Sequence, residues 1–306
     1  MSRLPITPGT PTRITRAGAV GGGFARVAAY TVLLLGTVII IFPLLWMIAV
    51  SLLTPDRAQA ATVSGDLTKL IPDDPQWGNF AQALSQMGSV RWKGFFDALA
   101  NSVVVTTLVV AFTVLSSSLV GFAMARIRFR GREPLFLLML ATMMLPAQVT
   151  MIPMFLLFRG LGWVDTILPL VVPALCGSAF FVFMYRQFIA QIPEALVEAA
   201  KVDGLSWLAI WWHVVLPMCR PVTAICAVFT FIYVWNDFMG PLIYLHSDEQ
   251  ATLAVALNSF RNQYGGVNKV HLLMAASLVT MIPCIVLFVA AQRQFIEGLG
   301  KGAVKG

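Results

Sequence analysis

Charge is scarce in this sequence. Asp, Glu, Lys and Arg make up 11% of it against 58% apolar residues, where a globular domain carries about a quarter charged. The apolar excess falls in runs of about 20 residues, the length that crosses a bilayer, so one large soluble core is excluded. Cysteine is scarce too. Cys176, Cys219, Cys226 and Cys284 form no CxxC pair, which argues against a disulfide framework or a zinc site; they read as small buried hydrophobes. No GxxxxGK[ST] phosphate loop is present, so nucleotide chemistry must come from elsewhere. The three histidines, His213, His246 and His271, are scattered, and no acid pair lies within a span. A membrane enzyme would need a nucleophile, base or metal cluster near one face.

What is present is six apolar spans, at about Arg26–Leu53, Leu99–Ala125, Pro134–Phe158, Ile167–Phe188, Val222–Leu245 and His271–Phe295. The first is about twice a signal-peptide core and ends without a small-x-small cleavage site, so it reads as retained. Pro43 is a kink point in it. Pro146 and Pro153 predict a bent or broken third span, and Pro169 and Pro173 fall early in the fourth. Proline is tolerated where neighbouring helices satisfy the freed carbonyls. The fold class is all-α integral membrane. The plan is a disordered tail at 1–25, a first helix at 26–53, an outer loop at 54–98, a membrane core at 99–295 containing a loop at 190–221, and a tail at 296–306.

Orientation follows from Lys and Arg. With the N-terminus inside, fourteen of the 21 basic residues fall on the cytoplasmic side, among them Arg126, Arg128, Arg130 and Arg132 in one short turn. Asp56, Asp66, Asp73, Asp74, Asp97, Asp248 and Glu249 fall outside. The net charge of +7 is therefore a topology signal and does not point to nucleic acid. Two outer segments are long enough for structure. Thr54–Ala98 carries Trp77 and Trp92, and either touches a soluble partner or is a solvated connector. His246–Val270 carries Gln250, Asn258, Asn262, Gln263 and Tyr264.

The stretch Ile192–Pro221 is a charged, helix-forming loop on the cytoplasmic side. Pro193-Glu194 is a good helix opening. Gly204 ends the run as a C-cap glycine does. A second helical piece, Trp207–Val215, is expected to stop at Leu216-Pro217. A short helix on the membrane face suits docking in a partner's groove. Ala199 and Ala200 allow close approach, and Glu198 offers a carboxylate for a bidentate Arg clamp.

Membrane subunits of bacterial ABC importers carry E-A-A, three residues, G, nine residues and I-x-L-P in this loop. Glu198-Ala199-Ala200, Gly204 and Val214-Val215-Leu216-Pro217 reproduce that spacing, with Val214 for Ile as the one departure. Other stretches match the sugar-importer branch: Gly121–Arg126 with Phe129–Gly131, Leu145-Pro146, Ile152–Phe155, Gln187–Ile189, Pro193-Glu194, Trp235–Phe238, and Gln292–Phe295 with Gly298-Leu299 and Gly302–Gly306. From about Arg26 to its end the chain resembles the permease subunit of a bacterial ABC sugar importer of the maltose-transporter type. The resemblance implies a type I ABC importer permease fold in the cell membrane with both termini cytoplasmic. It also implies partners: a second homologous permease, two cytoplasmic ATPase subunits and an extracytoplasmic sugar-binding protein. The chain itself binds no cofactor, while the ATPase partners bind ATP and Mg. Glu198, Ala199, Ala200, Asp203, Gly204, Leu216 and Pro217 are the residues expected to couple to the ATPase.

Asp237 is the one acid deep in a span. A charge at the bilayer centre costs about 2.5–3.5 kcal/mol on insertion scales, so it faces protein or water. With Tyr233, Trp235 and Asn236 it would suit a sugar, hydroxyls meeting amide and carboxylate and the ring meeting an aromatic face. A helix-packing or gating role for Asn236 and Asp237 stands beside that reading. Asn101, Thr106, Thr107, Ser116–Ser118, Gln148 and Thr150 are further polar residues that either face a cavity or bond a helix backbone. The substrate is left open among disaccharide, oligosaccharide, polyol and glycerol phosphate. A self-contained secondary transporter would carry charged pairs in several spans; only Asp237 qualifies here.

Overall fold

The apolar runs form helices because nothing else satisfies the backbone inside lipid. The computed structural model describes residues 22–86, 94–247, 249–263 and 269–303, and every element among them is helical. Residues 1–21 of the tail, Arg91, Trp92, Lys93, Asp248, Tyr264 and residues 304–306 lie outside the described residues. Four helical stretches are long and apolar enough to cross a membrane: Ala25–Ser51, Phe95–Arg126, Leu168–Ala190 and Val270–Gln292. Two bent pairs, Arg132–Thr142 with Ala147–Gly160 and Trp207–Met218 with Arg220–Trp235, bring the number to as many as six if each is one span by length and composition.

Residues to Ile48 form one unit, whose described residues all lie in the helix α1 (Gly22–Ser51). It begins four residues before the expected Arg26. Its side chains are apolar all round and largely exposed, Ile40 at 78%, as suits a lipid-facing helix. Pro43 stays inside it.

The second unit starts at Ala49. Its outer segment holds α2 (Pro55–Ser64), a 3-10 turn at Leu67–Leu70 and α3 (Gly78–Gln86). The Asn79 amide is buried and donates to the carbonyls of Ser51 and Leu53 at 2.8 and 2.9 Å, satisfying a helix end. Next comes α4 (Phe95–Arg126), the centre of the unit. The third span is two helices, α5 (Arg132–Thr142) and α6 (Ala147–Gly160), bent by 99°. The break lies before Pro146, because a residue preceding proline is pushed out of the helical region; Pro153 stays inside α6.

The fourth span is also interrupted. It comprises α7 (Leu168–Val171), a 3-10 turn at Val172–Cys176 and α8 (Ala179–Ala190), with Gly177 at φ +77° between them. Two serines of α4 satisfy the backbone freed there. Ser116 Oγ donates to the Ala174 carbonyl at 2.8 Å, and Ser117 Oγ accepts from the Ser178 N–H at 3.1 Å. Beyond it lie α9 (Glu194–Val202), α10 (Trp207–Ile210), a π-helical turn at Trp211–Val215 and α11 (Leu216–Met218).

The fifth span divides into α12 (Arg220–Trp235) and α13 (Met239–Tyr244), a break the sequence reading did not foresee. Asn236 Nδ2 closes the first part by donating to the Ile232 carbonyl at 2.8 Å. Asp237 Oδ1 accepts from the Gly240 N–H at 3.1 Å, in the first turn of the second. Last come α14 (Leu253–Gln263) and the long α15 (Val270–Ala303).

The buried face of α4 follows a three-to-four spacing through Phe95, Ala98, Ser102, Val105, Val109, Thr113, Ser117, Gly121 and Met124. Small residues on such a face let backbones approach closely. At Gly121 an added Cβ would lie 2.6 Å from Tyr185 Cβ and 3.2 Å from the backbone of Val182 and Arg186. Helix α4 packs chiefly on α8 and α12, and α12 on α15.

Candidate functional site

In the loop at 190–221, Pro193 lies just outside α9 and Glu194 in its first turn. The helix ends in a full Schellman arrangement: the Leu205 N–H donates to the Ala200 carbonyl at 3.1 Å, and the Gly204 N–H to that of Lys201 at 2.9 Å. Gly204 sits at the left-handed φ of +82° that this needs. Across the turn, Lys201 Nζ lies 3.9 Å from the ring centroid of Trp207. Ser206 Oγ accepts from the Ala209 N–H to open α10.

Burial divides α9 into two faces. Val197 and Ala200 are buried at 2% and 6% exposure in a core shared with Ile189, Ile192, Ile210, Trp211, Val215, Cys219 and Val222. Glu198, Ala199 and Asp203 are exposed. This corrects the expectation that Ala199 and Ala200 together permit a partner's approach. At about 100° per residue they point different ways, and Ala200 serves the chain's own core. Leu216 packs against that core, and Pro217 is exposed. The second piece does not stop at Leu216-Pro217 but runs to Met218, and α12 leaves it at 83°. The wide π turn sits where the Pro217 ring would otherwise meet the carbonyl four residues back.

One residue of this region was read as a topology charge and as the end of a family-like stretch, with no structural role. Arg126, the last of α4, donates through Nη2 to the carbonyls of Ile189 (2.7 Å) and Ile192. It thereby places a cation at the negative end of α8 and ties the start of the loop to α4. An arginine at the very end of a span, ahead of the basic run at Arg128, Arg130 and Arg132, is the signal that marked it. Beside it Arg186 pairs with Glu133 at 2.8 Å and lies 3.8 Å from the Phe136 ring centroid.

Further along α4 a cavity of about 480 Å³ opens toward α8 and α12. Its polar lining is Ser102, Thr106, Thr113, Ser178, Thr230 and Thr252, with Tyr233 and Asp237. Phe180, Phe181 and Phe229 add aromatic surface. Of the four expected pathway residues, Tyr233 and Asp237 line this cavity, whereas Trp235 and Asn236 do not. Trp235 is buried, stacks on Phe231 at 5.3 Å and donates from Nε1 to the Thr280 carbonyl at 3.1 Å, which is helix packing. Asn236 bonds its own helix. The other polar candidates divide in the same way. Thr106 lines the cavity, as does Thr113, which was not among those candidates. Ser116 and Ser117 bond the fourth span; Ser118 and Thr150 bond their own helices, at Leu115 and Ala147. Asn101 Nδ2 donates to the Glu249 and Ala251 carbonyls.

A second unforeseen residue is Asp165, at φ +63°. Its carboxylate accepts from the N–H groups of Ser247 (2.7 Å) and His246 (2.9 Å), and its own N–H donates to the Tyr244 carbonyl. The Ser247 bond, with that of His246, holds this carboxyl below the usual carboxylate range against partial desolvation.

Residues 117–301, more than half of the chain, match the family described as binding-protein-dependent transport system inner membrane component. The chain belongs to that family. This inner membrane component is 34% identical over 269 residues to the arabinooligosaccharides transport system permease protein AraQ of Halalkalibacterium halodurans, covering 88% of this chain and 92% of the relative. It is 31% identical over 239 residues to the melibiose/raffinose/stachyose import permease protein MelC of Bacillus subtilis, covering 78% and 84%. To the sn-glycerol-3-phosphate transport system permease protein UgpE of Yersinia pestis it is 29% identical over 270 residues, covering 88% and 94%. The inner membrane component also superposes, with a TM-score of 0.76 and 21% identity, on a chain from the crystal structure of a bacterial ABC transporter involved in the import of the acidic polysaccharide alginate. That match covers 90% of this chain and 98% of the other. It shows the ABC importer permease fold.

Proposed function

We propose that this inner membrane component forms half of the membrane pathway of an ATP-driven importer for a disaccharide or oligosaccharide. Its loop at 190–221 faces the cytoplasm, as do both termini, and docks on an ATPase subunit. ATP and Mg belong to two such ATPases. A second, homologous permease completes the pathway, and an extracytoplasmic binding protein delivers the sugar; no nucleic acid takes part. The observation that carries the coupling role is the division of α9: Glu198 and Asp203 are exposed on one side while Val197 and Ala200 are buried on the other. A helix so anchored passes a push on its outer face into the spans. Carbohydrate cargo is supported by the names of relatives such as AraQ and MelC.

The test is Glu198→Lys in the assembled transporter. Loss of a charge-paired contact, worth about 2–5 kcal/mol, would cut uptake more than about 30-fold and weaken ATPase co-purification. The chain would remain inserted in the membrane. Normal uptake with normal co-purification overturns the coupling role.

A further inference from the structure

We infer that the turn between α4 and α5 binds the headgroup of an anionic phospholipid through Arg128 and Arg130, with the acyl chains on the apolar surface of α5. Residues Arg128 to Pro134 line an open cleft of about 490 Å³ there, within the range of about 300–1,000 Å³ for small-ligand sites. The arginines of this turn are not equivalent. Arg126 is engaged by the carbonyls of Ile189 and Ile192. Arg132 lies 3.1 Å from Glu133, whose carboxylate also accepts from Arg186 at 2.8 and 3.0 Å. Glu133, the one acid on the cleft wall, is thus answered by two cations. Among the described residues Arg128 and Arg130 make no ion pair or hydrogen bond, and both are exposed. An arginine fork matches two phosphate oxygens, so two uncommitted guanidinium groups on one cleft suit a phosphate. Such charges orient a chain during insertion whatever their later fate; binding requires in addition that they stay unpaired in the fold, and these two do.

Apolar surface decides the source of the phosphate. Phe129, between the two arginines, is 41% exposed, and Leu135, Leu137 and Leu138 of α5 are 48%, 63% and 63% exposed. A free phosphate would meet the arginines and leave those side chains bare, whereas a phospholipid meets both. Helix α5 begins a bent pair apolar enough to cross a membrane, which sets its first residues at headgroup level. The tie from Arg126 to Ile189 and Ile192 places the turn at the same end of the molecule as the loop at 190–221. On the orientation proposed above that is the cytoplasmic leaflet, where anionic lipid attracts basic segments; the site itself does not depend on that orientation.

The experiment is native mass spectrometry of the detergent-purified full chain, titrated with phosphatidylglycerol or with phosphatidylcholine of the same acyl chains. Phosphatidylglycerol is expected to bind about 10-fold more tightly or better, because the choline cation competes with the arginines. Arg128→Gln and Arg130→Gln should each weaken it about 5-fold, the worth of one basic residue at a lipid surface. Arg159→Gln removes the same charge at the far end of α6 and should change it less than about 2-fold, being screened from the site. Equal affinity for the two lipids, or an equal loss from Arg159→Gln, overturns the inference. Displacement of the bound lipid by inorganic phosphate at equal concentration marks a free-anion site and overturns the lipid assignment. A preference that vanishes in the assembled transporter shows the turn covered by another subunit, and overturns it too.

Discussion

Around Phe122, helix α4 is enclosed: Tyr185, Ile189, Trp211 and Cys226 fill the space, and the Tyr185 hydroxyl has its partner in Thr223 at 3.0 Å. Around Thr106 and Val109 the same helix walls a cavity of about 480 Å³. One end is packed to interior density and resists deformation. The other borders open space. The same helix is thus closely packed where it meets the loop and open where it meets the cavity.

The contrast is broken most directly by Val197→Asp. An unpaired carboxylate in the loop core should cost about 3–5 kcal/mol, seen as a large fall in the thermal midpoint of the detergent-purified chain. Tolerance of it would mean that the loop end is no core. Arg126→Ala comes next, at about 1.5–3 kcal/mol for bonds from a charged donor. Its signature is faster proteolysis within 190–206, with the cavity end undisturbed. Gly204→Ala forces a Cβ into the left-handed region, about 1–2 kcal/mol; nothing lies within 4 Å of that Cβ, so the whole cost is backbone strain. It should lower the midpoint less than Arg126→Ala, and an equal or larger drop would refute that ranking.

The smallest effect sharpens the comparison from outside both ends. A carboxyl whose folded pKa is depressed, as for Asp165, contributes stability above its unfolded value near 3.8 and loses it as pH falls through the folded value. Asp165→Asn should therefore speed hydrogen exchange at the His246 and Ser247 amides at pH 7. Acidifying the wild type through the folded value, which lies below 3.8, should lower the protection of the same two amides relative to their intrinsic exchange rate at that pH, with Val197 and its neighbours unaffected.

What could be read from sequence was what acts locally. The number of spans, the opening at Pro193-Glu194 and the closing glycine at 204 each rest on a rule spanning a few residues. The separation of Ala199 from Ala200 was also readable, since Val197 and Ala200 are three apart and share a face. Arg126 and Asp165 were not, because their partners are carbonyls and N–H groups 63 to 82 residues away. The break after Trp235 was hidden for another reason: Asn236 and Asp237 looked like ligands for cargo, and both bond the backbone of the broken helix itself.

The glycine at 121 has a mechanical meaning. There the backbones of α4 and α8 stand so close that a methyl would collide, so the pair can neither approach nor slide past a side chain at that point. It is a fulcrum. With about 1.5 Å of rise per residue, the arm from Gly121 to Arg126 is about 7.5 Å and the arm to Ser102 about 28 Å. If α4 tilts about that contact as a straight rod, its Ser102 end moves nearly four times as far as its Arg126 end.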